Sequence, residues 1–204
     1  MDARIVDYFP SLKGHVAAGR DLLAVCLPAE HVEETKKMIA KLGGTTDLAL
    51  DDTAREQANI PHVFEFCYNH TTLQALKVDK SVTYLQTLFP APIDEAAIRE
   101  VMEHFGDELL WHHEYVRFGG AMVAFAIQVV RYTSPERLRQ IIAEIESRGL
   151  PVFDPHTYVI EDGGMKQVDP RHIAFKHIAD PLGLMNPGKT RAWDGPNAWM
   201  ADRA

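Results

Sequence analysis

Cysteine is nearly absent: the 204 residues hold two, Cys26 and Cys67. Neither belongs to a CxxC pair, which excludes a disulfide scaffold. Both lie in apolar runs, Ala24-Val25-Cys26-Leu27 and Phe64-Glu65-Phe66-Cys67, and are expected to be buried as small hydrophobes. Cations are also scarce. Lys and Arg number 21 against 29 Asp and Glu, a formal net charge of −8. Neutralising phosphates needs a surplus of cations, so neither nucleic acid nor an anionic membrane is an expected partner. The longest apolar run, 121–130, is too short to span a bilayer and carries Gln128. Met1-Asp2-Ala3-Arg4 opens no basic and then apolar leader. The expectation is a soluble, cytoplasmic protein.

The motifs of several enzyme classes are missing as well. No GxSxG nucleophile elbow occurs, and no GxGxxG or GxxxxGK[ST] turn for a dinucleotide or a nucleoside triphosphate. The chain has ten histidines but no HExxH, no HxH and no His/Cys pair at zinc-finger spacing. His112-His113-Glu114 is the densest cluster. Neighbouring residues of a strand point to opposite faces, so His112 and His113 are not expected to share an ion, and no metal is expected.

What is present is an alternation of strand-like and helix-like segments. Residues 22–27 read as a short apolar strand, followed by a helix over 31–42 that Gly43-Gly44 stops. Residues 46–50 and 63–67 read as further strands, 71–77 as a short helix and 82–89 as a strand ending at Pro90. Asp94 caps the next helix, with Ile93 and Ile98 at staple positions and Gly106 at its end. The run 121–130 suits a buried strand. Ser134 and Pro135 then open a helix with the stripe Leu138, Ile141, Ile142 and Ile145, closed by Gly149. Residues 158–161 read as a strand, and Asp169-Pro170 opens a last helix that ends near Asp180. The order predicts an α+β fold: a ferredoxin-like antiparallel sheet, single or duplicated, with helices packed on one face. The stripe on the helix after Ser134 is expected to meet Val123, Phe125 and Ile127.

One segment is unlike the rest. Asp180-Pro181-Leu182-Gly183-Leu184-Met185-Asn186-Pro187-Gly188-Lys189 sets turn formers around a short apolar stretch, a rigid hook that ends in Lys189. With Lys176 before it, this stretch resembles the closing signature of FAD-linked oxidoreductases of the glycolate oxidase, D-lactate dehydrogenase and vanillyl-alcohol oxidase type. Ile160-Glu161-Asp162-Gly163-Gly164 resembles that family's Glu-His-Gly stretch, and residues 22–44 resemble the first strand and helix of its C-terminal domain. The resemblance covers nearly the whole chain, 1–204, as one C-terminal (cap) domain.

Much follows from that resemblance. It implies the substrate-side half of a flavin-dependent enzyme acting on a small hydroxy acid or alcohol. Asn186 and Lys189 would lie nearest the FAD, and Glu161 on the wall of the substrate pocket. Two departures qualify it. Nothing before Leu22 supplies a glycine-rich loop for FAD phosphates, so the FAD-anchoring domain is absent and a separate domain or subunit would be its partner. FAD binding by this chain alone is expected to be weak or absent. The place of the family's metal-binding histidine strand is taken by Arg117-Phe118-Gly119-Gly120-Ala121-Met122, and Asp162 stands for the histidine of Glu-His-Gly. The other reading is a non-catalytic binding or scaffolding protein of the same fold. A homodimer is expected for the chain in isolation.

Overall fold

The computed structural model describes residues 1–67, 70–164 and 167–193. In chain order the elements are α1 (Ala3–Val6), α2 (Val32–Lys41), α3 (Asp52–Gln57), α4 (His70–Val78), β1 (Val82–Phe89), α5 (Glu95–Phe105), β2 (Leu109–Leu110), β3 (His113–Phe118), β4 (Ala121–Arg131), α6 (Pro135–Glu146), β5 (Val152–Phe153) and α7 (Pro170–Ala179). All strand pairs are antiparallel. β4 and β1 form the centre, β5 flanks β1, and β2 and β3 both pair with β4. The register of β2 on β4 continues into β3: Leu110 faces Val129, the Ile127 N–H donates to the His112 carbonyl at 2.8 Å, and His113 faces Ala126. The two therefore act as one strand. Counted so, the order β1–α5–β2/β3–β4–α6–β5 is a single ferredoxin-like unit.

Local chemistry accounts for the well-formed elements. The Asp94 carboxylate accepts from the backbone N–H groups of Ala96 and Ala97, and Ser134 accepts from Arg137 N at 3.1 Å with Pro135 in the first turn. α5 and α6 cover one sheet face. Ile98, Val101 and Phe105 from α5 and Ile141 and Ile145 from α6 join Leu85, Phe89, Ala124, Ala126 and Val130 in the main core.

The stripe of α6 thus meets the Ala124/Ala126 face of β4 and not the face of Val123, Phe125 and Ile127. β4 is apolar on both sides, so alternation alone does not choose between them. Small alanines do: they leave room for isoleucine and phenylalanine from two helices. Gln128 sits in this same core, fully buried. Its amide meets the Thr87 hydroxyl at 2.5 Å, with the nitrogen turned to the carbonyls of Leu85 (2.8 Å) and Ala126 (3.2 Å). Every polar end is paired, which is how a glutamine persists inside.

The opposite face is covered too. Ile5, Phe9 and Leu12 from the N-terminal stretch, Phe66, and Ala75 of α4 pack on Val82, Leu110 and Val129.

Four expected strands differ. Residues 22–27 and 46–50 are irregular, 63–66 form a 3-10 turn, and 158–161 run into another over Ile160–Asp162. The first two carry strand-like residues but find no neighbour in the sheet, and a strand needs a ladder. At Val63–Phe66 the His62 side chain accepts from Phe64 N and bends the chain into a turn. The expected burial of the thiols fails for the same reason: Cys26 is exposed on the unpaired stretch and Cys67 is half-buried. Among the described residues no helix is long and apolar enough to cross a membrane.

Candidate functional site

The hook is closed by its own carboxylate. α7 begins at Asp169, whose side chain accepts from Arg171 N at 2.8 Å, and ends at Asp180. The Asp180 carboxylate accepts from Leu184 N (2.8 Å), Met185 N (3.0 Å) and the Lys176 ammonium (2.6 Å). The Lys176 ion pair, with the two amides behind it, holds the Asp180 carboxyl below its ordinary pKa. Lys176 Nζ also donates to the Met185 carbonyl at 2.6 Å and lies 3.9 Å from the centre of the Trp193 ring. Gly183 has φ +67°, and a Cβ there would come within 2.4 Å of that ring. Only glycine fits the approach.

Glu161 ties the end of the hook to the body. It lies on the turn Ile160–Asp162, and its Oε1 accepts from the Thr190 hydroxyl, Arg191 N (3.0 Å) and Ala192 N (3.1 Å). These donors, Thr190 foremost, hold its pKa down at about 2. Its Oε2 is buried with no hydrogen-bond partner among the described residues. Asp162 grips Arg191 through both oxygens, at 2.5 and 2.8 Å.

Lys189 is drawn into the same clasp. Its carbonyl accepts from Ile160 N at 2.8 Å, and its ammonium sits 3.8 Å from the centre of the Tyr158 ring, whose hydroxyl donates to the Pro187 carbonyl at 3.0 Å. Asn186 stands exposed at the tip with φ 48°, its carbonyl taking the Lys189 N–H at 3.3 Å. The structure therefore brings Glu161 and Lys189 together at the root of the hook, while Asn186 joins them only through its backbone carbonyl. Facing outward are Phe175 and Ile178 of α7 and Leu182, Leu184 and Met185 of the hook, each 64–80% exposed.

A second polar group, not singled out as a site from the sequence, sits on the sheet. His112 and Glu114 share one face of β2/β3, while His113 points to the other, as strand alternation requires. His112 is 5% exposed; its Nε2 lies 3.2 Å from Glu114 Oε1 and its Nδ1 3.4 Å from Thr71 Oγ1. The Thr71 hydroxyl donates to the Phe66 carbonyl at 3.0 Å, which leaves its oxygen to accept from His112. The i,i+2 spacing of His112 and Glu114 was the available signal. Among the described residues no three His, Cys, Asp or Glu side chains are grouped to hold a metal ion.

His113 stacks on Trp111 with ring centres 5.7 Å apart and lies 5.7 Å from Phe89. Its Nε2 and the Trp111 Nε1 are buried without hydrogen-bond partners among the described residues. Burial first, then the N-terminal ammonium and His112, push its pKa down to about 4. An unfolded histidine titrates near 6.5, so between about 6.5 and 4 the unfolded chain binds a proton that the folded chain refuses. The stability held by neutral His113 is complete above about pH 6.5 and declines as pH falls toward 4. Denaturant titrations across that range should show this decline, and a His113→Phe variant should flatten it. An equal slope in the variant would place the titration elsewhere.

Comparison with family models and with curated proteins finds no match.

Proposed function

We propose that the chain is the substrate-side half of a flavin-dependent oxidoreductase that acts on a small hydroxy acid or alcohol beside a separate FAD-anchoring domain or subunit. The observation that carries this reading is the hook itself: a loop fixed by Asp180, Lys176, Glu161 and Gly183 that, together with α7, turns five large apolar side chains to solvent. A rigid apolar surface of this kind serves an interface. It offers cover for a ring and no cradle for a pyrophosphate, since the sequence contains no glycine-rich turn opening a helix.

In this reading a bound flavin would supply the redox chemistry, the two-electron oxidation of the alcohol. Asn186 at the tip and Lys189, seated on Tyr158, would hold the ring, the one through its amide and the other through its positive charge. Glu161, whose Oε2 is buried without a hydrogen-bond partner among the described residues, would stand on the wall of the substrate pocket. On the sheet, Phe118 packs edge-on to Phe125, 5.9 Å between centres, on the same face as Glu114. That face extends the apolar cover. The two free thiols suit a reducing, cytoplasmic setting.

One observation favours the non-catalytic alternative. Glu161 and Lys189 both spend charge on contacts inside the chain. Titrating the pure chain with FAD tests the division of labour. Weak binding without a fixed stoichiometry is expected, and tight one-to-one binding would contradict the need for an anchoring partner.

A further inference from the structure

Residues 22–51 form no strand of the sheet, and Leu22 and Leu48 pack at the edge of its second core. Leu22 N donates to the Met1 carbonyl at 2.9 Å, and the Met1 ammonium donates to the Leu22 carbonyl at 3.0 Å. Beyond that pair residues 23–27 belong to no strand, and Leu23, Val25 and Leu27, alternate residues, are 66%, 50% and 37% exposed. α2 follows and has no buried residue; Met38 is 56% and Leu42 79% exposed. A ten-residue helix is shorter than the roughly 12–15 residues that an isolated helix needs in water, so α2 depends on packing for its stability. Leu27, Thr35 and Met38 line one groove together with Glu34 and Lys41, and His31 and Lys37 complete its wall.

The geometry points to a second copy of this chain as the occupant of that groove, its α2 lying antiparallel to this one across a two-fold axis. The charges of the helix select this partner. Glu33 and Glu34 lie in the first turn and Lys41 in the last. Glu34 and Lys41 are seven residues apart and so take the same heptad position. In an antiparallel pair equal positions face one another. With Met38 near the axis, Glu34 meets Lys41 of the second copy, and Lys41 meets its Glu34. Both contacts close in a single isologous interface. A parallel pair would instead set the two acidic turns side by side. Leu27, Met38 and Leu42 supply the apolar seam.

This inference does not depend on the flavin reading, and its failure leaves that reading standing. Sedimentation equilibrium of the full chain should show a dimer. Glu34→Lys and Lys41→Glu, each at an exposed site, should each raise the dimer dissociation constant about tenfold or more at low salt, because both symmetric contacts become repulsive. The double variant, with the charges exchanged, should dimerise like the parent. A mixture of the two single variants should form a one-to-one heterodimer. Circular dichroism confirms that each variant is folded. A parent monomeric at every concentration would overturn the inference. So would a dimer indifferent to both reversals, since it would form through another surface, the sheet edge or the hook.

Discussion

Ile145→Ala is expected to cost about 2–5 kcal/mol of folding stability, the range for an isoleucine truncated in a close-packed core. Ile145 is fully buried and packs with Ile141 against the alanine face of β4. The helix cannot settle far into the space, because the sheet and the other α6 contacts hold it. Ile142 is one turn-step away and only half-buried at the edge of the same cluster. Its truncation should cost less, about 1–2 kcal/mol, since part of its surface already meets water. Denaturant unfolding of the two variants reads the difference. Equal costs would mean that α6 is rotated from the orientation described.

Gly183→Ala is the second large effect, and it is local. The added Cβ would lie 2.4 Å from the Trp193 ring, at a φ of +67° that side chains rarely adopt. Overpacking costs about 1–3 kcal/mol and the left-handed backbone about 1–2 kcal/mol more. Trp193 is 2% exposed and shares the Lys176 ammonium with the hook, so moving its ring loosens the whole clasp. The expected result is red-shifted, more quenchable Trp193 fluorescence and faster proteolysis near residues 180–190, while the unfolding midpoint of the sheet stays close to that of the parent. Partner binding through the hook should weaken in step. Unchanged fluorescence with unchanged partner binding would show that the glycine is not what fixes the loop.

The parts of the fold that were legible in the sequence are those whose signals are local. Asp94, Ser134 and Asp169 cap helices where expected, and the strand 82–89 and the run 121–130 pair along their length. What depends on a neighbour was not legible. Residues 22–27 look like a strand and lack a partner in the sheet. β4 looks the same from both faces until helices are placed against its alanines. The covering of the second face by Ile5, Phe9 and Leu12 joins residues far apart in the chain, which no local pattern announces. The candidate site divides the same way. The hook could be read from its prolines and glycines, whereas the grip of Glu161 on residues 190–192 and the pairing of His112 with Glu114 and Thr71 are tertiary contacts.

The most direct test of the central claim follows flavin absorbance near 450 nm without oxygen. The pure chain, an FAD-loaded anchoring chain, and the two together are each mixed with glycolate, D-lactate, L-lactate and a benzylic alcohol. The flavin is expected to stay oxidised in both single-chain samples. In the mixture one substrate class should bleach it, and Lys189→Ala should slow that bleaching more than it lowers the unfolding midpoint. Bleaching by the pure chain with free FAD, or a stable coloured complex that none of these substrates reduces, would contradict the proposed function.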